Sequence, residues 1–255
     1  MDDLVSFALG LAFGGADIIR PYFRAPVEVD YKRDNSPVTR ADREAETWMR
    51  ERIGERFPEH GIIGEEHGTT REDAEHLWVL DPIDGTRSFI AGVPLFGTLV
   101  ALLRGTTPVI GVIHLPALGE TLLGVEGRPT TFNGNPVRMR SSPSLERAIL
   151  ACTDHREAAG DPRRGKNFLG LVESVGTYRT WGDCYMYALL ARGRADIAID
   201  PVMNPWDIQA LVPVIRGAGG VITDLEGNAP ERGDSILAAS PGLHSRVLAL
   251  LNEPA

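Results

Sequence analysis

The segment W-V-L-D-P-I-D-G-T, residues 78–86, sets two carboxylates three positions apart at the end of an apolar run. Asp81 and Asp84 held this close repel each other unless a cation compensates, and hard divalent ions such as Mg²⁺ take oxygen ligands of this kind. The same turn presents the backbone N–H groups of Gly85 and Thr86 at the start of a short helix predicted to run to residue 90, where a phosphate can accept hydrogen bonds. Metal and anion sites would then be adjacent. A purely structural account stands beside this one: Asp81 ends a strand, Pro82 stops further regular pairing, and Asp84 caps the helix.

Two further acidic sites bear on the choice. Glu65 and Glu66, in I-I-G-E-E-H, follow the apolar pair Ile62-Ile63 at a predicted strand end, and Asp207, in N-P-W-D, opens a helix predicted to run to Arg216. Taken alone, Glu66 reads as a solvated surface carboxylate and Asp207 as a first-turn acid that stabilises the helix dipole. Other conspicuous residues carry less. His67, His76 and His114 lack metal-ligand spacing and read as structural or surface residues. Trp206 reads as core packing, and Cys184, with no supporting His, as a small buried thiol.

The elements that must position these groups follow from pattern. A helix is expected at the N-terminus from Leu4, Ala8, Leu11, Ile18 and Tyr22, which recur at helical steps. Residues 5–19 are mostly apolar but are preceded by Asp2 and Asp3, lack a basic leader and fall short of a bilayer span. A second helix is predicted over residues 39–57, with Thr39 and Asp42 as capping groups and Pro58 as the stop. Residues 77–80, 96–103, 109–115 and 121–125 read as strands of an antiparallel meander, and Asn133-Gly134 as a hairpin turn. Beyond residue 141 strands and helices alternate, with strands at 148–153, 177–180 and 195–199 and helices at 185–191 and 208–216. Residues 154–165 form the one strongly polar connection and read as a rim loop. A layered α/β unit follows, with lobes 1–140 and 141–255.

Composition narrows the partners. The 255 residues carry a net charge of −9, which disfavours nucleic acid and anionic membranes as partners. Only 2 cysteines occur, too few for a disulfide framework, and a reducing cytoplasm fits them.

G-E-E at 64–66, D-P-I-D-G-T at 81–86, N-P-W-D at 204–207 and G-A-G-G at 217–220, in this order, resemble the inositol monophosphatase family of metal-dependent phosphomonoesterases. The resemblance implies an αβαβα sandwich of the inositol monophosphatase and fructose-1,6-bisphosphatase type, a homodimer, two or three Mg²⁺ ions per site and a small phosphorylated substrate. It makes Glu65, Asp81, Asp84, Asp207 and the Ile83 carbonyl metal ligands. By the same resemblance Glu65, Thr86 and Asp42 become catalytic, Thr86 orienting the attacking water and Asp42, from T-R-A-D at 39–42, accepting the Thr86 hydroxyl proton. Without it, Asp42 reads as a first-turn helix acid. Gly85, Thr86 and Arg87 fall to phosphate binding, although Arg87 also reads as a solvated helix cation.

Residues 81–103, G-D-C-Y at 182–185 and A-L-V-P-V-I-R-G-A-G-G at 210–220 are most similar to the histidinol-phosphate phosphatase branch of that family. A substrate bearing an ammonium group and an imidazole calls for carboxylates beyond those on metal, and Asp183 and Asp200 are the candidates. The structural account makes Asp183 a helix cap and Asp200 a strand end before Pro201. The expected activity is hydrolysis of L-histidinol phosphate in histidine biosynthesis. A broader inositol or sugar phosphate phosphatase and a noncatalytic metal- or partner-binding homologue are the alternatives.

Overall fold

A computed structural model describes residues 1–25, 28–32, 37–141 and 144–254. Helix α1 (Asp2–Ile19) begins with two acids at the positive end of its dipole and buries Ala8, Leu11, Ala12, Ala16 and Ile19. Within the 21 helical residues Asp2–Tyr22 an 18-residue window reaches a mean hydropathy of 1.3, long and apolar enough by length and composition to cross a bilayer. That corrects the expectation of a segment too short to do so. Strands β1 (Val29–Tyr31) and β2 (Pro37–Thr39) pair antiparallel, and β2 leads into α2 (Arg40–Arg56). The capping box predicted by Thr39 and Asp42 is formed: Thr39 N–H donates to Asp42 Oδ2 at 2.8 Å, and Ala41 N–H to Thr39 Oγ1 at 3.2 Å.

Eight strands then build one sheet: β3 (Gly61–Gly64), β4 (Gly68–Thr70), β5 (His76–Asp84), β6 (Gly97–Arg104), β7 (Thr107–Leu115), β8 (Glu120–Val125), β9 (Thr131–Phe132) and β10 (Asn135–Pro136). Helix α3 (Thr86–Ile90) interrupts them after β5. All neighbours are antiparallel except β3 and β5, and the meander expected from β6 onward is present, as is the hairpin at Asn133-Gly134, where both residues have positive φ.

The second sheet has five strands: β11 (Ile149–Cys152), β12 (Thr177–Arg179), β13 (Ile197–Asp200), β14 (Val221–Thr223) and β15 (Ile236–Ala239), in the order β12-β11-β13-β15-β14. Helices α4 (His155–Gly160), α5 (Gly165–Ser174), α6 (Asp183–Ala191), α7 (Pro205–Ile208), α8 (Leu211–Gly217) and α9 (Pro241–Leu251) connect and cover it. Two expectations change here. Residues 154–165 are largely helical, because Asp154 accepts the Arg156 N–H at 2.7 Å and starts α4. The helix expected over 208–216 is two short helices, with Asp207 in the first.

Strand alternation divides the apolar residues among five layers. Trp78, Leu80, Val100, Leu102, Ile110 and Val112 face α1 and α2 with Leu11, Met49 and Ile53. The opposite face, with Leu77, Val79, Leu99 and Ile113, packs on α6 and α8, which in turn meet Ala151, Ala198, Ile236 and Ala238 of the smaller sheet. Leu150, Ile197, Ile199 and Leu237 turn outward to Phe168, Leu171, Leu243 and Val247 of α5 and α9. The order is therefore helix, sheet, helix, sheet, helix, the αβαβα arrangement expected. Gly111 and Gly124 lie opposite each other on β7 and β8, and a Cβ on either would overlap the backbone of Ala210 or Val214. The chain at the start of α8 thus rests directly on the large sheet.

Candidate active site

Residues three apart on a regular strand point to opposite faces. Pairing on β5 passes from Asp81 opposite Leu99 to Asp84 opposite Gly97, so two residues oppose one and a bulge forms between the acids. The extra residue restores parity and brings both carboxylates to one side. Pairing does not end at Pro82 as expected; the bulge absorbs the proline, and its carbonyl accepts from Thr98 Oγ1 at 2.8 Å.

The third carboxylate arrives from the middle layer. Asp207 sits in α7, where its Oδ2 accepts the Asn204 N–H at 2.7 Å, and Asp81, Asp84 and Asp207 each offer an oxygen within 4.8 Å of the others. Burial, then the neighbouring carboxylates, push Asp81 and Asp84 well above the usual range. Burial likewise lifts Asp207 to about 6. Asp81 Oδ1 is buried with no hydrogen-bond partner among the described residues. Three converging carboxylates, one of which carries an orphaned oxygen, form a donor set suited to a hard divalent cation.

Glu65 borders this cluster at the end of β3. Burial raises its pKa and Lys32 opposes the rise, one carboxylate oxygen accepting from Lys32 Nζ at 2.7 Å. Lys32 also donates to Glu66 at 2.6 Å, and the Glu66 side chain is only 4% exposed, so the expected solvated carboxylate is a buried partner instead. Sequence reasoning missed both Lys32 and Glu46. Glu46, fully buried on α2, accepts the Glu66 N–H at 2.7 Å, the His67 N–H at 3.1 Å and Arg50 Nε at 2.6 Å, fixing the G-E-E-H turn. A helical Glu and Arg four residues apart was the available signal.

Ile83 and Phe89 pack with Ala41 and Ala45, which sets the turn after β5 beside the start of α2. Burial lifts Asp42 to about 7, and its Oδ1 lacks a partner among the described residues. The Thr86 hydroxyl donates to the Ile83 carbonyl at 3.0 Å, not to Asp42 as expected, because that carbonyl lies within the same turn. Gly85 adopts φ +90, which calls for glycine, and a Cβ there would stand 2.9 Å from Asp183 Oδ2, so that a larger residue would also have to displace the Asp183 carboxylate. Arg87 is exposed on α3 and favours the ionised form of Asp183.

Beside the cluster lies a recess of about 70 Å³ lined in part by Asp84, Asp183, Asp207, Asp200 and Glu157. Asp183 is the first residue of α6 rather than its cap, has φ +53, and donates its N–H to Thr153 Oγ1 at 2.9 Å. Burial raises Asp183 to about 6. Asp200 is 3% exposed, and its oxygens accept from the Thr153 N–H at 3.0 Å and the Tyr187 hydroxyl at 3.1 Å. It therefore braces Thr153 from below, while Glu157, on the α4 helix that the sequence reading took for loop, is the exposed acid of the recess. His114 bonds Thr121 at 2.9 Å, His76 stacks on His60 and His67 meets Thr47 at 3.1 Å, so these rings serve local packing. Cys184 is buried and its N–H donates to Asp84 Oδ2; Trp206 packs against the central core.

The family model of the inositol monophosphatase family matches residues 1–254. Among curated proteins, the chloroplastic bifunctional phosphatase IMPL2 of Arabidopsis thaliana is 43% identical over 89% of this chain, which spans 66% of that longer protein. The histidinol-phosphatase of Mycobacterium tuberculosis is 37% identical over 98% of each chain. Among solved structures, an inositol monophosphatase from Zymomonas mobilis aligns with a TM-score of 0.87 and 40% identity over 98% of each chain.

Proposed function

The chain belongs to the inositol monophosphatase family, and we propose that it is a Mg²⁺-dependent phosphomonoesterase that hydrolyses L-histidinol phosphate to L-histidinol and phosphate, a step of histidine biosynthesis. The observation that carries the substrate is the recess, where Asp183 and Glu157 add acidic groups next to the three-carboxylate cluster. An alcohol bearing an ammonium group and an imidazole is matched by such a lining, whereas a neutral polyol gains no charge pairing from it. Likeness to the histidinol-phosphatase of Mycobacterium tuberculosis supports the same substrate.

Asp81, Asp84, Asp207, Glu65 and the Ile83 carbonyl would hold Mg²⁺, two or three ions by family resemblance, which supplies neutralisation of the phosphate charge and a lowered pKa for water. Phosphate oxygens accept from the Gly85 and Thr86 amides, with Arg87 at the rim. Glu65 and the Thr86 hydroxyl hold the attacking water in line with the ester bond. The Thr86 hydroxyl turns from the Ile83 carbonyl to Asp42 Oδ1, the unpartnered oxygen, so that Thr86 Oγ1 receives the attacking water's proton as its own passes to the Asp42 carboxylate. Water adds to phosphorus as the ester P–O bond breaks, and the departing alkoxide takes a proton from water. The reading includes a homodimer, by family resemblance, and a cytoplasmic location, with which two free thiols are in keeping.

A second reading, an inositol 1-phosphate or broad sugar phosphate phosphatase, is favoured by the likeness to the Zymomonas mobilis inositol monophosphatase. Phosphate release with Mg²⁺ from L-histidinol phosphate and inositol 1-phosphate, compared as kcat/KM, separates the two. A preference of about 100-fold or more for histidinol phosphate, near 3 kcal/mol of discrimination, is expected. A preference for the inositol ester would replace the substrate and leave the metal chemistry standing.

A further inference from the structure

We infer that the end of the five-stranded sheet remote from the recess carries a second anion-binding site, shaped for a small phosphate-bearing metabolite. Strands β13 and β15 run antiparallel, with Asp200 opposite Ile236 at the recess end and Ile197 opposite Ala239 at the other. Three residue steps separate those ends by about 10 Å, and Ser240 lies one residue further on. The inference is independent of which ester the recess hydrolyses.

A groove of about 570 Å³ opens there, lined in part by Arg138, Arg140, Ser141, Ser240 and Gly242. Ser240 is the N-cap of α9, an 11-residue helix, yet its side chain makes no capping bond. An N-cap serine ordinarily turns its hydroxyl onto an amide of the first turn. Here Ser240 is 5% exposed and lines the groove, and its hydroxyl has no hydrogen-bond partner among the described residues. The amides beside it are distributed in a way that leaves one donor. Leu243 and His244 N–H both reach the Ser240 carbonyl, at 3.0 and 2.8 Å, Pro241 has no N–H, and Gly242 N–H remains. A Cβ on Gly242 would meet nothing within 4 Å, so the space before the helix is open.

Two guanidinium groups complete the lining. Arg140 is held by the buried Asp196 through Nε, at 2.7 Å, and Nη2, which orients the group and leaves Nη1. Arg138 is exposed and makes no ion pair among the described residues. The Arg140–Asp196 pair is neutral as a unit, so Arg138 and the positive end of α9 set the local sign. A cation, a hydroxyl and a helix amide around one groove match the oxygens of a phosphate group. The net charge of −9 on the whole chain argues for a single small anion rather than a polyanion.

The test is a titration of the ¹⁵N-labelled, Mg²⁺-loaded protein with inorganic phosphate, ionic strength held constant with chloride. A saturable shift of the Gly242 amide, distinct from that of Gly85, is expected. Ser240→Ala and Arg138→Gln should each weaken it about fivefold or more, roughly 1 kcal/mol, with the Gly85 shift and kcat/KM unchanged. A Gly242 shift that never saturates, that chloride reproduces, or that both variants retain at full affinity would overturn the inference.

Discussion

Two groups of acids meet near the ends of β3 and β5, and the chain treats them differently. Glu46, Glu66 and one oxygen of Glu65 are matched to groups of the protein itself, through Arg50, Lys32 and backbone amides. Asp81, Asp84 and Asp207 lie within 4.8 Å of one another, and their charges are opposed by burial and by each other. Acids that fix a loop carry their counterions in the sequence; acids that face the recess leave that task to a cation from solution. Glu65, bonded to Lys32 on one side and facing Asp81 and Asp207 on the other, marks the border.

The contrast breaks most visibly at Asp84. Asp84→Asn should lower kcat by about 1,000-fold or more, while the melting temperature in EDTA stays level or rises because a buried repelling charge is gone. A variant that keeps wild-type turnover would remove Asp84 from the metal set. Glu46→Gln should do the reverse, costing about 3 kcal/mol in urea unfolding with kcat changed far less, since it uncouples Arg50 and two amides. Unaltered unfolding would show that the paired group is not structural. Asp183→Asn should reduce kcat/KM for histidinol phosphate about 10-fold more than for inositol 1-phosphate, and equal losses would exclude it from specificity.

The smallest effect is one of pH. Asp42 and Asp200 titrate near 3.8 when unfolded and at about 7 in the folded protein, so between those values the folded state binds more protons. Stability in EDTA therefore falls as pH rises from about 4 to 7 and levels off above. Differential scanning calorimetry should show a drop of a few degrees, roughly, across that window, and added Mg²⁺ should raise the melting temperature at pH 8 by binding only the folded state. A melting temperature that climbs across the window would contradict the burial of uncompensated carboxyls.

Local chemistry made much of this legible in the sequence. Thr39 and Asp42 announced a helix start, alternation and Asn133-Gly134 announced the meander, and D-P-I-D-G-T announced the acidic turn. What stayed hidden depends on partners distant in the chain. The bulge that aligns Asp81 with Asp84 exists only against β6, and Lys32 acquires its role only when it comes to lie near residues 65 and 66. Residues 155–160 mix polar groups with Ala and Gly, a composition that does not separate a short helix from a loop until the Asp154 cap is formed. The division between Pro205–Ile208 and Leu211–Gly217 falls at Gln209, whose carbonyl Pro213 has no N–H to meet, a signal in the sequence that the reading of one continuous helix passed over.

The approach of the start of α8 to Gly111 and Gly124 has a bearing on how the protein tolerates change. Where α8 meets the large sheet the contact is backbone on backbone, with Thr130 Oγ1 donating to the Val214 carbonyl at 2.6 Å as a pin. Only the Pro213 ring joins the backbone at the two glycines, and a closed ring has no extended rotamers through which to carry a displacement into the neighbouring Asp207. The apolar layers on either side are free to exchange one aliphatic residue for another over generations of substitution, while the closeness of α8 to the sheet, beside Asp207, is inherited from two glycines.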